Sequence, residues 1–144
     1  MSDIEKQVLR AIDTYKSAVL AKNAETLMHL YAPQVRVFDA WGTWSYEGAS
    51  AWRVAVEGWF ASLGTECVKV SFNDVQALTG KDVSSVSAIV TYAAVAAPGA
   101  APHRTMQNRI TWVLRTVGHV PRIVHEHTSA PLGFDDMKAI LVRA

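Results

Sequence analysis

The chain reads as an α+β protein in which helices come first and an antiparallel sheet, curved around them, follows. Three observations predict this. Apolar residues recur at helical spacing near the N-terminus and again around 48–62. Four long segments with strand character fill the stretch from about 66 to 130. Turn-like separators, TGKD, APGAAP and VGHVP, divide those segments into a meander. Helices gathered ahead of a meander pack together on one face of its sheet.

Taken in order, residues 2–22 predict an amphipathic helix. Ser2 stands at its cap position with Glu5 three residues on, the spacing of a capping box. Ile4, Val8, Ala11, Ile12, Tyr15, Ala18 and Val19 form one stripe. KNAET interrupts that period. A second short helix starts at Asn23 or Ala24 and runs through Leu27, Leu30 and Tyr31, with Pro33 ending it. QVRVFDAWGTWSYEG predicts a strand, a turn at Gly42 and a second short strand. The third helix, about 48–62, carries Trp52, Val56, Trp59 and Phe60, and Gly64 sits at its stop. ECVKVSFNDVQAL, VSSVSAIVTYAAVA, HRTMQNRITWVLRT and VPRIVHEHTSA are the four strands. GFDDMKAILVRA is expected to close the chain as a short helix. No internal repeat, low-complexity tract or linker divides the sequence.

Length and composition narrow the function classes. The 144 residues suggest one domain, 1–144, and a half-hydrophobic composition supplies a core. A formal net charge of +1 with no Lys or Arg run gives no field that would hold nucleic acid or a membrane surface. Cys67 is the only cysteine, which rules out an intrachain disulfide and a cysteine metal cluster and fits a reducing compartment. The N-terminus is charged and amphipathic rather than a signal peptide, and no apolar run reaches the roughly 18 residues of a membrane span. The expectation is a cytoplasmic chain with no nucleic-acid or membrane partner.

Asp39 is the first candidate for chemistry. In VRVFDAWG, strand alternation puts Val35, Val37, Asp39 and Trp41 on one face and Arg36, Phe38 and Ala40 on the other. A carboxylate on an otherwise apolar face must be paired, wet or useful. It is either a strand-end aspartate bonded to turn amides near Gly42 or a partly desolvated general base. Tyr15, on the apolar stripe of the first helix, is either a core tyrosine or a phenol that donates to a developing oxyanion. In RIVHEHTS, alternation puts Ile123, His125, His127 and Ser129 on one face and Val124, Glu126 and Thr128 on the other. Histidines at i and i+2 can share a metal, but spacing specifies no third ligand, although folding could bring up Asp39 or His103. Polar residues hydrogen-bonding in a cavity or an interface are the alternative. Asn108 is the polar exception on a face with Met106, Ile110, Trp112 and Leu114, while Arg109 is either a solvated sheet charge or a partner for Glu126. Four of the five tryptophans cluster between 41 and 59, as core or as the wall of a pocket for a flat apolar ligand.

With these residues in view, the sequence resembles the nuclear transport factor 2-like superfamily, and within it the SnoaL-like and ketosteroid isomerase-like branch, over essentially its whole length. The resemblance rests on LYAPQVRVFDAWGTWSYEG, on AWRVAVEGWF and on the ending TWVLRTVGHVPRIVHEHTS. That ending also looks like the association domain of calmodulin-dependent kinase II, a non-catalytic relative. The resemblance implies a cystatin-like cone, a strongly curved sheet wrapped around N-terminal helices with a pocket at its open end. YAPQVRVFDAWG is similar to the isomerase stretch that carries the catalytic aspartate, and Asp39 falls on that residue. Tyr15 falls on the oxyanion tyrosine. The second oxyanion acid of the isomerases has no counterpart in TMQNRITWV, where Asn108 is the nearest polar residue on the pocket face.

The site expected from this reading has Asp39 and Tyr15 as catalytic residues. Asn108, His125, His127, Trp41, Trp59 and Trp112 line the substrate pocket, with no metal and no cofactor. The reaction would be proton transfer next to a carbonyl, of the isomerase, cyclase or dehydratase type, on a small apolar or aromatic carbonyl-containing ligand. The alternative is a non-catalytic ligand-binding or oligomerisation module. A homodimer through the exposed sheet face is expected, with Val86, Val90 and Val113 among the apolar positions there.

Overall fold

A computed structural model describes residues 1–143. Three helices, α1 (Asp3–Leu20), α2 (Ala24–Met28) and α3 (Ala49–Ser62), lie against one six-stranded sheet. Its strands are β1 (Tyr31–Phe38), β2 (Tyr46–Glu47), β3 (Cys67–Leu78), β4 (Val83–Val95), β5 (Arg104–Val117) and β6 (Val120–Ser129), in spatial order β2-β1-β6-β5-β4-β3. The pairs β3–β4, β4–β5 and β5–β6 are the antiparallel meander; β1 joins its far edge parallel to β6.

Local chemistry explains the helices. Ser2 Oγ accepts from the Glu5 amide at 3.1 Å, and Asn23 Oδ1 accepts from the Thr26 amide at 3.0 Å, so both helix starts have capped donors. The α1 stripe is buried at Val8, Ala11, Ile12, Tyr15, Ala18 and Val19. Lys22 ties the end of α1 to the turn after α3, its Nζ donating to the carbonyls of Gly64 and Glu66 at 2.8 and 2.9 Å. Gly64, at φ +59°, supplies the left-handed residue that ends α3.

Trp112, Leu114, Ile123, Val35 and Val37 lie in the core between the sheet and the helices, each at most 1% exposed. Truncating one of them, such as Leu114→Ala, costs about 2–5 kcal/mol through lost transfer energy and the void left behind.

Four expectations are corrected. The second helix stops at Met28, and Pro33 lies inside β1 rather than after a helix. It is tolerated because β1–β6 pairing breaks between Tyr31 and Arg36, so no ladder bond is asked of its missing N–H. The segment after β6 forms turns and one bridge, Leu132 to Ala139, instead of a helix. The Leu141 carbonyl accepts from the Gln107 amide at 2.6 Å, so this tail spends its polar groups on the edge of β5; Ala144 lies outside the described residues. Val86 and Val90 point inward, 1% and 0% exposed, while Val113 is half-buried on the outer face.

The fourth correction decides the site. Leu114 pairs with Ile123, yet Val113 pairs with His125, so Val124 is an extra residue in β6. A one-residue bulge inverts the alternation that follows. Glu126 and Thr128 therefore turn inward and are buried, and His125 and His127 turn outward.

Candidate active site

The open end of the curved sheet holds a cavity of about 480 Å³ between α1, α3, the 39–42 segment and the inner faces of β4, β5 and β6. Its walls are largely aromatic and its polar groups few, the usual character of a small-molecule site. Trp41, Tyr46, Trp52 and Trp59 line it together with Tyr15, Tyr92, Asp39, Asn108, Glu126 and Thr128.

Asp39 follows β1 and is half-buried. Thr128 Oγ1 donates to its Oδ1 at 3.1 Å and accepts from the Ala40 amide at 2.8 Å, so the threonine fixes both the carboxylate and the chain after it. Burial raises the Asp39 pKa above the ordinary carboxylate range, partly offset by the Thr128 hydroxyl and the Trp41 and Ala40 amides. Tyr15, 4% exposed, shares a 2.9 Å hydrogen bond with the hydroxyl of Tyr92. Two hydroxyls sharing one bond leave one phenolic hydrogen for a third atom. Burial pushes both phenols well above their usual range, each in the negative field of Glu126.

Glu126 is 2% exposed. Its Oε1 accepts from Tyr31 Oη at 2.6 Å and from Trp112 Nε1 at 2.8 Å. Burial pushes its pKa up to about 7, against those two hydrogen bonds and helped by the negative charge of Asp39. Asn108 is 6% exposed, and its Oδ1 has no hydrogen-bond partner among the described residues. At the rim, Arg104 holds Glu66 through two bonds, 2.9 and 3.1 Å, with His103 on the same carboxylate. The Arg104 and His103 hydrogen bonds lower the Glu66 pKa.

The cavity brings together Asp39, Tyr15, Asn108, Trp41 and Trp59 of the expected residues. Trp112 does not reach it: the indole is sealed beneath Tyr15, ring centres 5.6 Å apart, with its N–H spent on Glu126. His125 and His127 do not face it either. Both rings stand edge-on to Phe38, at 5.0 and 5.5 Å, and His125 Nδ1 lies 2.8 Å from the Arg36 carbonyl. His127 borders a separate shallow hollow behind the 39–45 segment, which Asp39 and Thr128 also touch. Among the described residues, no group of three or more His, Cys, Asp or Glu side chains gathers to hold a metal. Arg109 bonds Ser129 Oγ at 3.1 Å rather than Glu126.

Three polar residues of the site were missed in the sequence: Tyr92, Glu126 and Thr128. The signal for Tyr92 was its even spacing from Val86 and Val90, once these are placed inward. No sequence signal marked the bulge that turns Glu126 and Thr128 into the cavity.

A curved, unclosed sheet wrapped around N-terminal helices, with an aromatic-walled pocket at the open end, defines a protein of the nuclear transport factor 2-like, cystatin-like fold. The SnoaL-like domain model matches residues 8–133, and the chain belongs to that family. It is similar to an NTF2-like protein of unknown function from Pseudomonas putida, at 21% identity and a TM-score of 0.85, covering 97% of this chain and 95% of that one. Aln2 from a Streptomyces species is similar at 9% identity and a TM-score of 0.76, with 90% and 91% covered. A putative calcium/calmodulin-dependent protein kinase II association domain from Xanthomonas campestris is similar at 18% identity and a TM-score of 0.71, with 86% and 85% covered. At these identities the likeness concerns the fold. No curated protein matches the sequence. No described helix is long and apolar enough to cross a membrane.

Proposed function

We propose that the cavity binds a small aromatic or otherwise apolar carbonyl compound and that Asp39 moves a proton at the carbon beside the carbonyl, without a cofactor. One observation carries this reading. A carboxylate with a raised pKa, held by Thr128, shares an aromatic-walled cavity with a phenol pair that has one hydroxyl hydrogen left to give. A raised pKa brings a carboxylate closer to the basicity that C–H abstraction needs. The Tyr15–Tyr92 pair would donate to the enolate oxygen as negative charge develops there. Isomerisation, cyclisation and dehydration all begin with this step.

The test is hydrogen–deuterium exchange at the acidic C–H of 2-tetralone in deuterated buffer, followed by NMR. The protein should accelerate exchange, and Asp39→Asn, nearly isosteric but without useful basicity, should lose about 10²–10⁴-fold of that acceleration. Full activity in Asp39→Asn sinks the mechanism.

The outer face of β4 and β5 carries Ser85, Ile89, Thr91 and Val113, all half-buried; among the described residues no helix packs there, and the tail reaches it at Gln107, whose side chain bonds both Thr91 and the Arg143 amide. A second copy of the chain is proposed to cover that face, leaving the cavity on the opposite side open to ligand.

A further inference from the structure

We propose that the ligand carries a protonated amine, seated on the carboxylate of Glu126 at the inner wall of the cavity. This deepens the reading above and rests on it only for the cavity as the ligand site; whether Asp39 moves a proton is a separate matter.

The geometry of Glu126 leads to it. Tyr31 and Trp112 both donate to Oε1, and Oε2 makes no hydrogen bond among the described residues. A glutamine could accept both bonds with its amide oxygen. What the carboxylate adds over that amide is charge at the second oxygen, on a residue that lines the cavity. Asp39 stands on the same wall, joined to β6 through Thr128, two residues from Glu126 on the same strand face. Among the described residues, the one cation on the cavity lining, Arg104, is at the rim and already committed to Glu66 by two hydrogen bonds. Among the described residues the interior thus holds two carboxyl groups and no positive side chain.

Asn108 supplies an independent observation. It lines the same cavity, is 6% exposed, and its side-chain oxygen meets no donor among the described residues. A buried acceptor without a partner is costly and selects for a ligand that brings an N–H or O–H. The walls suit a cation as well. Trp41, Tyr46, Trp52 and Trp59 are π-systems that attract an ammonium and stack on a flat body attached to it. Burial holds the proton on Glu126 up to about 7; an ammonium beside it favours the ionised form. Asp39 remains free for chemistry on the carbon skeleton.

The experiment compares three probes on one naphthalene body by isothermal titration calorimetry at pH 7.5: 2-naphthylmethylamine, 2-acetylnaphthalene and 2-naphthoate. The amine is expected to bind at least about tenfold more tightly than the ketone, with the carboxylate weakest. Glu126→Gln should remove about tenfold or more of the amine affinity and leave the ketone within about twofold, since charge-assisted hydrogen bonds are roughly twice as strong as neutral ones. Should Glu126→Gln not fold, Asp39→Asn reads the same field and should weaken the amine severalfold and spare the ketone. An amine that does not bind, or binds no better than the ketone or the carboxylate, overturns the proposal. So does an amine affinity indifferent to the Glu126 and Asp39 substitutions. If the unsubstituted protein fails to accelerate deuterium exchange in 2-tetralone while the amine preference persists, the proton-transfer reading alone is struck; the reverse result would strike this one alone.

Discussion

Replacing Glu126 by Gln should make the protein more stable at alkaline pH, and the amount follows from the environment of the carboxyl. The group has an ordinary value of 4.5 and is pushed up to about 7 in the folded protein. The sign is fixed by which state holds the proton. Between these values the folded state keeps it and the unfolded state has lost it, so stability falls as pH rises, by roughly 1 kcal/mol or slightly more per pH unit. The difference, 7 − 4.5, is 2.5 units, or about 3 kcal/mol between pH below 4.5 and pH above 7. Gln keeps an oxygen for Tyr31 and Trp112 and carries no charge, so its stability lacks this fall. Other titrating groups, including the raised Asp39 and the lowered Glu66, are common to both proteins and largely cancel in the difference. Urea unfolding of both proteins at several pH values from about 4.5 to 8.5 gives the comparison. The stability of Glu126→Gln relative to the parent should rise by about 3 kcal/mol across that range, or roughly 6–12 °C in Tm. A difference that stays flat with pH would mean that Glu126 titrates like an exposed carboxylate and that its burial does not govern it.

Tyr31→Phe removes the shorter of the two hydrogen bonds to Glu126 and should cost about 1–3 kcal/mol at pH 8, where the carboxylate is charged, and less at pH 5; denaturant unfolding at both values checks it. His125→Ala and His127→Ala point away from the cavity and should leave the affinity of any cavity ligand within about twofold, as titration calorimetry would show; a tenfold loss would restore the histidines to the site. In solution the chain of 15.8 kDa should run at twice that mass, and Val113→Arg on the outer sheet face should return it to the single-chain mass in light scattering. A single-chain mass for the unsubstituted protein would exclude the dimer.

The order of elements was legible in the sequence because it depends on local patterns. The Ser2 cap, the α1 stripe, the left-handed stop at Gly64 and the three turns of the meander each involve residues a few positions apart, and each formed where the spacing put it. Asp39, Tyr15 and Asn108 were visible for a related reason: each is a polar residue in an apolar period, and all three line the cavity. Facing was another matter. Alternation along a strand says which residues share a side, but pairing decides which side is the core. The inward turn of β4, which buries Val86 and Val90 and aims Tyr92 at Tyr15, came from its register with β5 and β3. The extra residue at Val124 has no local mark, because a bulge is a mismatch in count between two strands and belongs to neither alone. That mismatch sent the histidines out and brought Glu126 in, where Tyr31, ninety-five positions away in the chain, and Trp112 could satisfy a buried carboxyl. The sequence by itself determined the order of the main elements and three of the cavity's polar residues, Asp39, Tyr15 and Asn108; only the tertiary pairing decided which acid stands beside Asp39, because strand parity is a property of contacts between distant segments.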